Sequence, residues 1–169
     1  MPDVTSSKPP THRNDAELVL AVVRATAEWE GDTQVIAVVK PIRELIWAVW
    51  EKPRLGETVR SIYPVAAPWS RAAREAYKAD HKTPLVLDHV TPMNLIVRDL
   101  LRKPPVNVAA LVRLLNRQVQ HAVITPAENR RFSEHHLAGK RVQGSRDDWD
   151  RYRVALGLKE LKGFAPLNA

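Results

Sequence analysis

Apolar side chains in the first third of the chain recur at helical spacing. Leu18, Val19, Val22, Val23 and Ala27 predict a helix over 15–29, with Asn14 or Asp15 as its cap and Gly31 as its stop. Residues 33–51 are apolar almost throughout. The valine-rich run 35–39 fits a strand as well as a helix, but Pro41 suits a first helical turn and leads into Arg43, Glu44, Leu45 and Trp50, so the pattern favours mostly helix with a kink or break at Pro41. Pro53, Gly56, Pro64 and Pro68 mark 52–68 as a loop, after which Ser70 caps a basic helix over 71–78. The period then changes. Leu85, Val86 and Leu87, bounded by Pro84 and Pro92, form a run of strand length, and Ala122, Val123 and Ile124 form another. Thr125 followed by Pro126 and Glu128 has the spacing of a capping box with proline at the first helical position, which predicts a helix from Pro126.

Two further helices fill the interval between the strands. Pro92 opens one through Leu95, Ile96, Leu100 and Leu101, which the Lys103-Pro104-Pro105 break ends. Val108, Leu111, Val112, Leu114 and Leu115 give the second an apolar face. Packed antiparallel, the pair buries both faces and returns the chain to join the strands. A last amphipathic helix over 147–157 carries Trp149, Tyr152, Val154 and Leu156. The expected fold is α+β and mostly helical. Two short antiparallel strands and a helix (84–136, with inserted helices over 93–118) pack on an N-terminal helical part (15–80) and the C-terminal helix. Residues 1–14, rich in Pro, Ser and Thr, read as a flexible arm on a single globular domain, 15–169.

Charge adds a direction to this plan. The net charge is +7, but residues 1–84 hold 12 Lys/Arg against 11 Asp/Glu, whereas 85–169 hold 14 against 8. The basic excess lies with the strands, where a polyanion is the natural partner and a solvated basic face is the plain alternative. With no cysteine there is no disulfide, zinc–thiolate site or thiol nucleophile. No apolar run has the length of a membrane span, and the start Met-Pro-Asp-Val lacks a signal peptide's apolar core, so the expectation is a cytoplasmic protein without a membrane partner. Trp47 and Trp50, three apart on an apolar face, fit core packing better than base stacking.

The chemistry concentrates at the strand ends. Asp88 and His89 close the first strand, and since neighbouring strand residues point to opposite faces, one can face a site while the other faces its support. His121 opens the second strand, and Asn129 lies in the first turns of the helix. Strand, Asp-His, strand and helix with a polar residue is the layout of the ββα-metal site. Over 84–136 the sequence resembles the HNH nucleases, and Ile124-Thr125-Pro126-Ala127-Glu128-Asn129 is similar to the Thr-Pro-x-x-His segment of the nuclease colicins. The chain departs from that pattern in the long interval 93–120, in lacking the Gly pair after Asp-His and in lacking bracing Cys pairs. The family's middle Asn has no clear counterpart, Gln120 or His121 standing near its place.

The resemblance implies a metal-dependent endonuclease, a phosphodiester hydrolase, with His89 as general base, Asp88 and Asn129 as ligands of Mg²⁺ or Mn²⁺, and His121 as a catalytic helper. It implies nucleic acid as partner, DNA ahead of RNA, with room for a partner subunit or homodimer. Arg130, Arg131, Lys140 and Arg141 are then the phosphate contacts. The bland counterpart has Asp88 and His89 as a strand-end hydrogen-bonded pair and Asn129 as helix decoration. The competing function is a non-catalytic nucleic-acid- or partner-binding module that needs the basic residues but not Asp88. His135 and His136 are helical neighbours about 100° apart, so at most one joins Asn129 on an ion.

Overall fold

The computed structural model describes residues 12–27, 32–145 and 147–169. Of the expected arm, 1–11 lie outside these residues, as do Trp29 and Gly31, while 12–14 already belong to the first helix. The architecture is α+β, with seven α-helices and four short strands among the described residues. Helix α1 (His12–Ala27) is followed by α2 (Asp32–Ile46), which carries Pro41 inside it. At Pro41 the backbone has no N–H to donate. The helix does not break there. It continues through a π-helical turn, Trp47–Glu51, and a 3₁₀ turn, Lys52–Arg54.

The expected loop 52–68 contains two short strands, β1 (Thr58–Val59) and β2 (Tyr63–Pro64), paired antiparallel. The reversal between them places Arg60 and Ser61 at φ 53° and 67°. Two consecutive left-handed non-glycine residues give no sequence signal of the kind Asn-Gly would. Helix α3 (Arg71–Ala79) is capped by Ser70, whose hydroxyl accepts from the Ala73 N–H.

Strand β3 (Val86–His89) and strand β4 (His121–Ile124) pair antiparallel with Val86 opposite Ile124, Leu87 opposite Val123, Asp88 opposite Ala122 and His89 opposite His121. Between them run α4 (Met93–Arg102) and α5 (Val108–Gln118). The inserted helices bury their apolar faces chiefly against the N-terminal part rather than on each other: α4 packs on α2 and α1, and α5 on α1. Their joint core contains Val19, Val23, Ile42, Ile46, Ile96, Leu100, Leu111 and Leu115, each essentially inaccessible to solvent. That destination explains why so long an insertion is tolerated. Trp50 is buried in the same core, as the helical spacing of Trp47 and Trp50 predicts.

Helix α6 (Pro126–Glu134) begins at Thr125 with the complete capping box, the Thr125 hydroxyl accepting from the Glu128 N–H and the Glu128 carboxylate accepting from the Thr125 N–H. The same carboxylate oxygen accepts from the Ser70 hydroxyl at 2.7 Å, so one acid joins the starts of α3 and α6. Thr125→Ala is expected to lower stability by about 1 kcal/mol, measured by urea unfolding. Helix α7 (Asp150–Leu156) ends at Gly157, whose φ of 65° needs a residue without a Cβ penalty. Phe132, Tyr152, Ala155 and Leu156 of α6 and α7 form a second core with Val90, Ala122 and Ile124. No helix among the described residues is long and apolar enough to cross a membrane.

Candidate metal centre

His89 and His121 are register partners at the end of the β3–β4 ladder, so their side chains leave the same face of the sheet. The ring centroids are 4.8 Å apart. Glu51 meets both. Its Oε2 lies 2.6 Å from His89 Nε2 and 2.8 Å from His121 Nε2. The Glu51 side chain is 1% exposed, that of His121 11% and that of His89 25%, so the group opens toward solvent on the His89 side. Trp47 places its ring edge-on to His121, centroids 6.5 Å apart.

Glu51 reaches this position through the π-helical turn. Adding one residue to the turn shifts the side-chain phase relative to a regular α-helix, and such turns recur at functional sites. The acid ends an apolar run, and it stands 38 residues from His89 and 70 from His121.

A carboxylate taken out of water is ordinarily pushed toward its neutral form. At Glu51 that effect of burial is opposed and outweighed by hydrogen bonds from His121 and His89 and by their charge, so the pKa falls from 4.5 to about 2. A carboxyl whose folded pKa lies below its unfolded value contributes stability that is fully present above about pH 4.5 and is lost as pH falls toward 2. Glu51→Gln is therefore expected to flatten the acid limb of the metal-free protein's stability curve over that window. The expected difference is about 3 kcal/mol, read by urea unfolding at stepped pH.

The three residues together can hold a metal ion, one ligand atom from each lying within 4.8 Å of the others. Two independent features fit this. The second carboxylate oxygen, Glu51 Oε1, is buried without a hydrogen-bond partner, an arrangement that leaves an acceptor unsatisfied. Two imidazole nitrogens and one carboxylate also form a donor set that binds transition metals with positions left open for other ligands.

Asp88 stands on the opposite face of β3 from His89, as strand alternation requires. Its carboxylate accepts from Arg151 Nη2 and from the Tyr152 hydroxyl, and Arg151 Nη2 also donates to the His89 carbonyl at 2.9 Å. The Arg151 guanidinium lies over the Phe132 ring at 4.5 Å and over the Tyr152 ring at 5.2 Å. Burial raises the Tyr152 pKa well above its ordinary value, and the Asp88 charge adds to it, so the hydroxyl stays a donor. Asn129 is exposed on α6, and His135 and His136 are exposed at its C-terminal end. The structure thus brings His89 and His121 together with Glu51. It places Asp88 in a separate buried cluster behind them.

The four basic residues Arg130, Arg131, Lys140 and Arg141 are all exposed, and two of them make contacts within the chain. Arg131 donates to the Leu156 carbonyl at 3.4 Å, and Arg141 pairs with Asp148 at 2.9 Å and Asp99 at 3.4 Å. One cavity, about 410 Å³, reaches Glu51 and His121 and is walled mainly by apolar side chains; a second, about 690 Å³, is polar and is lined by Arg117 and Arg141 together with Asp147 and Asp148. Compared with protein-family models, with curated proteins and with solved structures, the chain matches none, and the assignment of this centre rests on its own residues.

Proposed function

We propose that the protein is a metal-dependent hydrolase of phosphodiester bonds in nucleic acid, with Glu51, His89 and His121 as its metal ligands. The observation that carries the reading is the shared Glu51 carboxylate between two register-paired imidazoles at the end of β3–β4, with its other oxygen unsatisfied. The strand, strand and helix around it keep the order that resembles the HNH nucleases, and the basic excess of 85–169 suits a phosphate backbone.

A divalent ion in this set supplies a Lewis acid that acidifies water and polarises a phosphoryl oxygen. Glu51 provides the negative charge that offsets the ion's own, and the imidazoles provide neutral nitrogen donors. That donor set favours Zn²⁺, Mn²⁺, Co²⁺ or Ni²⁺ over Mg²⁺, which prefers oxygen ligands and retains its waters. The Arg151 bond to the His89 carbonyl fixes the backbone from which His89 projects.

Cleavage of nucleic acid, DNA or RNA, is expected with these ions and not in EDTA, with activity lost in His89→Ala and His121→Ala. The 2.6 Å bond between Glu51 and His89 also favours a second reading, in which the carboxylate orients His89 as a general base without an ion. Cleavage that survives EDTA but not His89→Ala selects that reading. Binding without cleavage under every condition selects a non-catalytic nucleic-acid-binding module.

A further inference from the structure

Beside Glu51 and His121 lies a cavity of about 410 Å³ whose walls include Trp50, Leu55, Pro64, Pro68, Val119 and Trp149. Its size falls in the range of ligand sites, and a mostly apolar wall with a few polar groups is their usual composition. Glu51 and His121 stand in its lining, so whatever fills it lies against the centre. Gln120 and Trp149 also line the polar cavity of about 690 Å³, so the two spaces share a wall. In that cavity Arg141 is paired with Asp148, Asp147 stands beside them, and Arg117 is an exposed cation next to Gln120. Trp149 is half-buried. A ligand with a flat apolar part and an adjoining anionic part that meets Arg117 complements the two spaces.

Resting on the proposed hydrolase reading, we infer that the apolar cavity is a subsite for one unstacked nucleobase, and that the substrate is single-stranded nucleic acid rather than intact duplex. A base offers a flat face to aromatic rings and guanidinium groups, and its own phosphate follows one sugar away. The Arg54 guanidinium lies over the Trp50 ring at 3.7 Å, and both line the cavity, so one wall is already a stacked cation and ring. Bases in a duplex are paired and stacked, and they enter such a cavity only after the cost of extrusion. A single strand does not bear that cost.

The test compares a mixed-sequence single-stranded oligonucleotide with its duplex, first as binding in EDTA and then as cleavage with Mn²⁺ or Zn²⁺. The single strand is expected to bind and to be cut at least about 10-fold better. Trp149→Ala is expected to weaken single-strand binding by about 5- to 150-fold, the range for losing one stacked base. Trp149 packs on Tyr152 and Phe164, so a second variant guards against a folding defect. Ala67→Trp places a ring in the cavity from a half-buried loop position and is expected to weaken single-strand binding while the metal-induced rise in Tm stays as in the wild type. Equal cleavage of duplex and single strand, or full single-strand binding by Ala67→Trp, overturns the base subsite and leaves the hydrolase reading standing. A protein that binds metal but neither binds nor cuts nucleic acid overturns both.

Discussion

Glu51→Gln is expected to remove the thermal stabilisation that a divalent ion bound at this centre would give. A ligand present at about a hundred times its dissociation constant adds about 2.7 kcal/mol to a folded state that alone can bind it. In a chain of this size that corresponds to a rise in Tm of about 5–10 °C. The wild type is expected to show this rise with Zn²⁺, Mn²⁺ or Co²⁺ and to lose it in EDTA, whereas Glu51→Gln shows none at the same concentrations. Gln keeps the shape and one acceptor oxygen of Glu51, so the variant isolates the charge. Differential scanning fluorimetry over a metal series measures both proteins, and a full metal response in Glu51→Gln removes the carboxylate from the ligand set.

The second large effect lies behind the site. Arg151 is 4% exposed and supplies the cation for the Asp88 carboxylate. Removing one partner of a buried pair leaves the other charge uncompensated, which costs about 3–5 kcal/mol. Asp88 retains 20% exposure of its side chain, which places Arg151→Met near the lower end, about 3 kcal/mol. The double variant Asp88→Asn/Arg151→Met removes both charges and is expected to recover most of that loss, because replacing a buried pair whole is often close to neutral. Urea unfolding of the two single variants and the double variant gives the coupling energy, and additive losses show that the pair does not act as a unit.

Much of the fold is legible in the chain because it follows local signals. Thr125, Pro126 and Glu128 predict the start of α6, and the proline-bounded run at Leu85–Leu87 predicts β3. Pairing of the strands follows from both, and alternation along β3 predicts that Asp88 and His89 face opposite ways. The expectation of Asp88 as an ion ligand with Asn129, beside His89 as base, rests on the family resemblance and not on that alternation. His121 was legible as a strand-start histidine, but its place opposite His89 depends on register, which the interval 93–120 does not encode locally. Glu51 gives the weakest signal. It reads as the polar end of an apolar helix, and only the π-helical turn aims it at two histidines remote in sequence. Arg151 and Tyr152 likewise read as members of an amphipathic helix, since nothing local announces a carboxylate on the other side of the core. The β1–β2 reversal gives no sequence signal because its left-handed residues are Arg and Ser.

Glu51, His89 and His121 come from the end of α2's helical run and from two strands separated by α4 and α5. That ordering has a kinetic consequence. Helical turns form from neighbours along the chain, whereas the β3–β4 ladder must close a loop that contains two helices, and Glu51 meets the ladder only after the helical core has gathered. The centre is thus assembled late, from contacts of long sequence separation. Interactions completed after the rate-limiting step leave the folding rate nearly unchanged and slow unfolding instead. An ion held by Glu51, His89 and His121 would therefore act as a latch on the finished structure, lengthening the life of the native state without hastening its arrival.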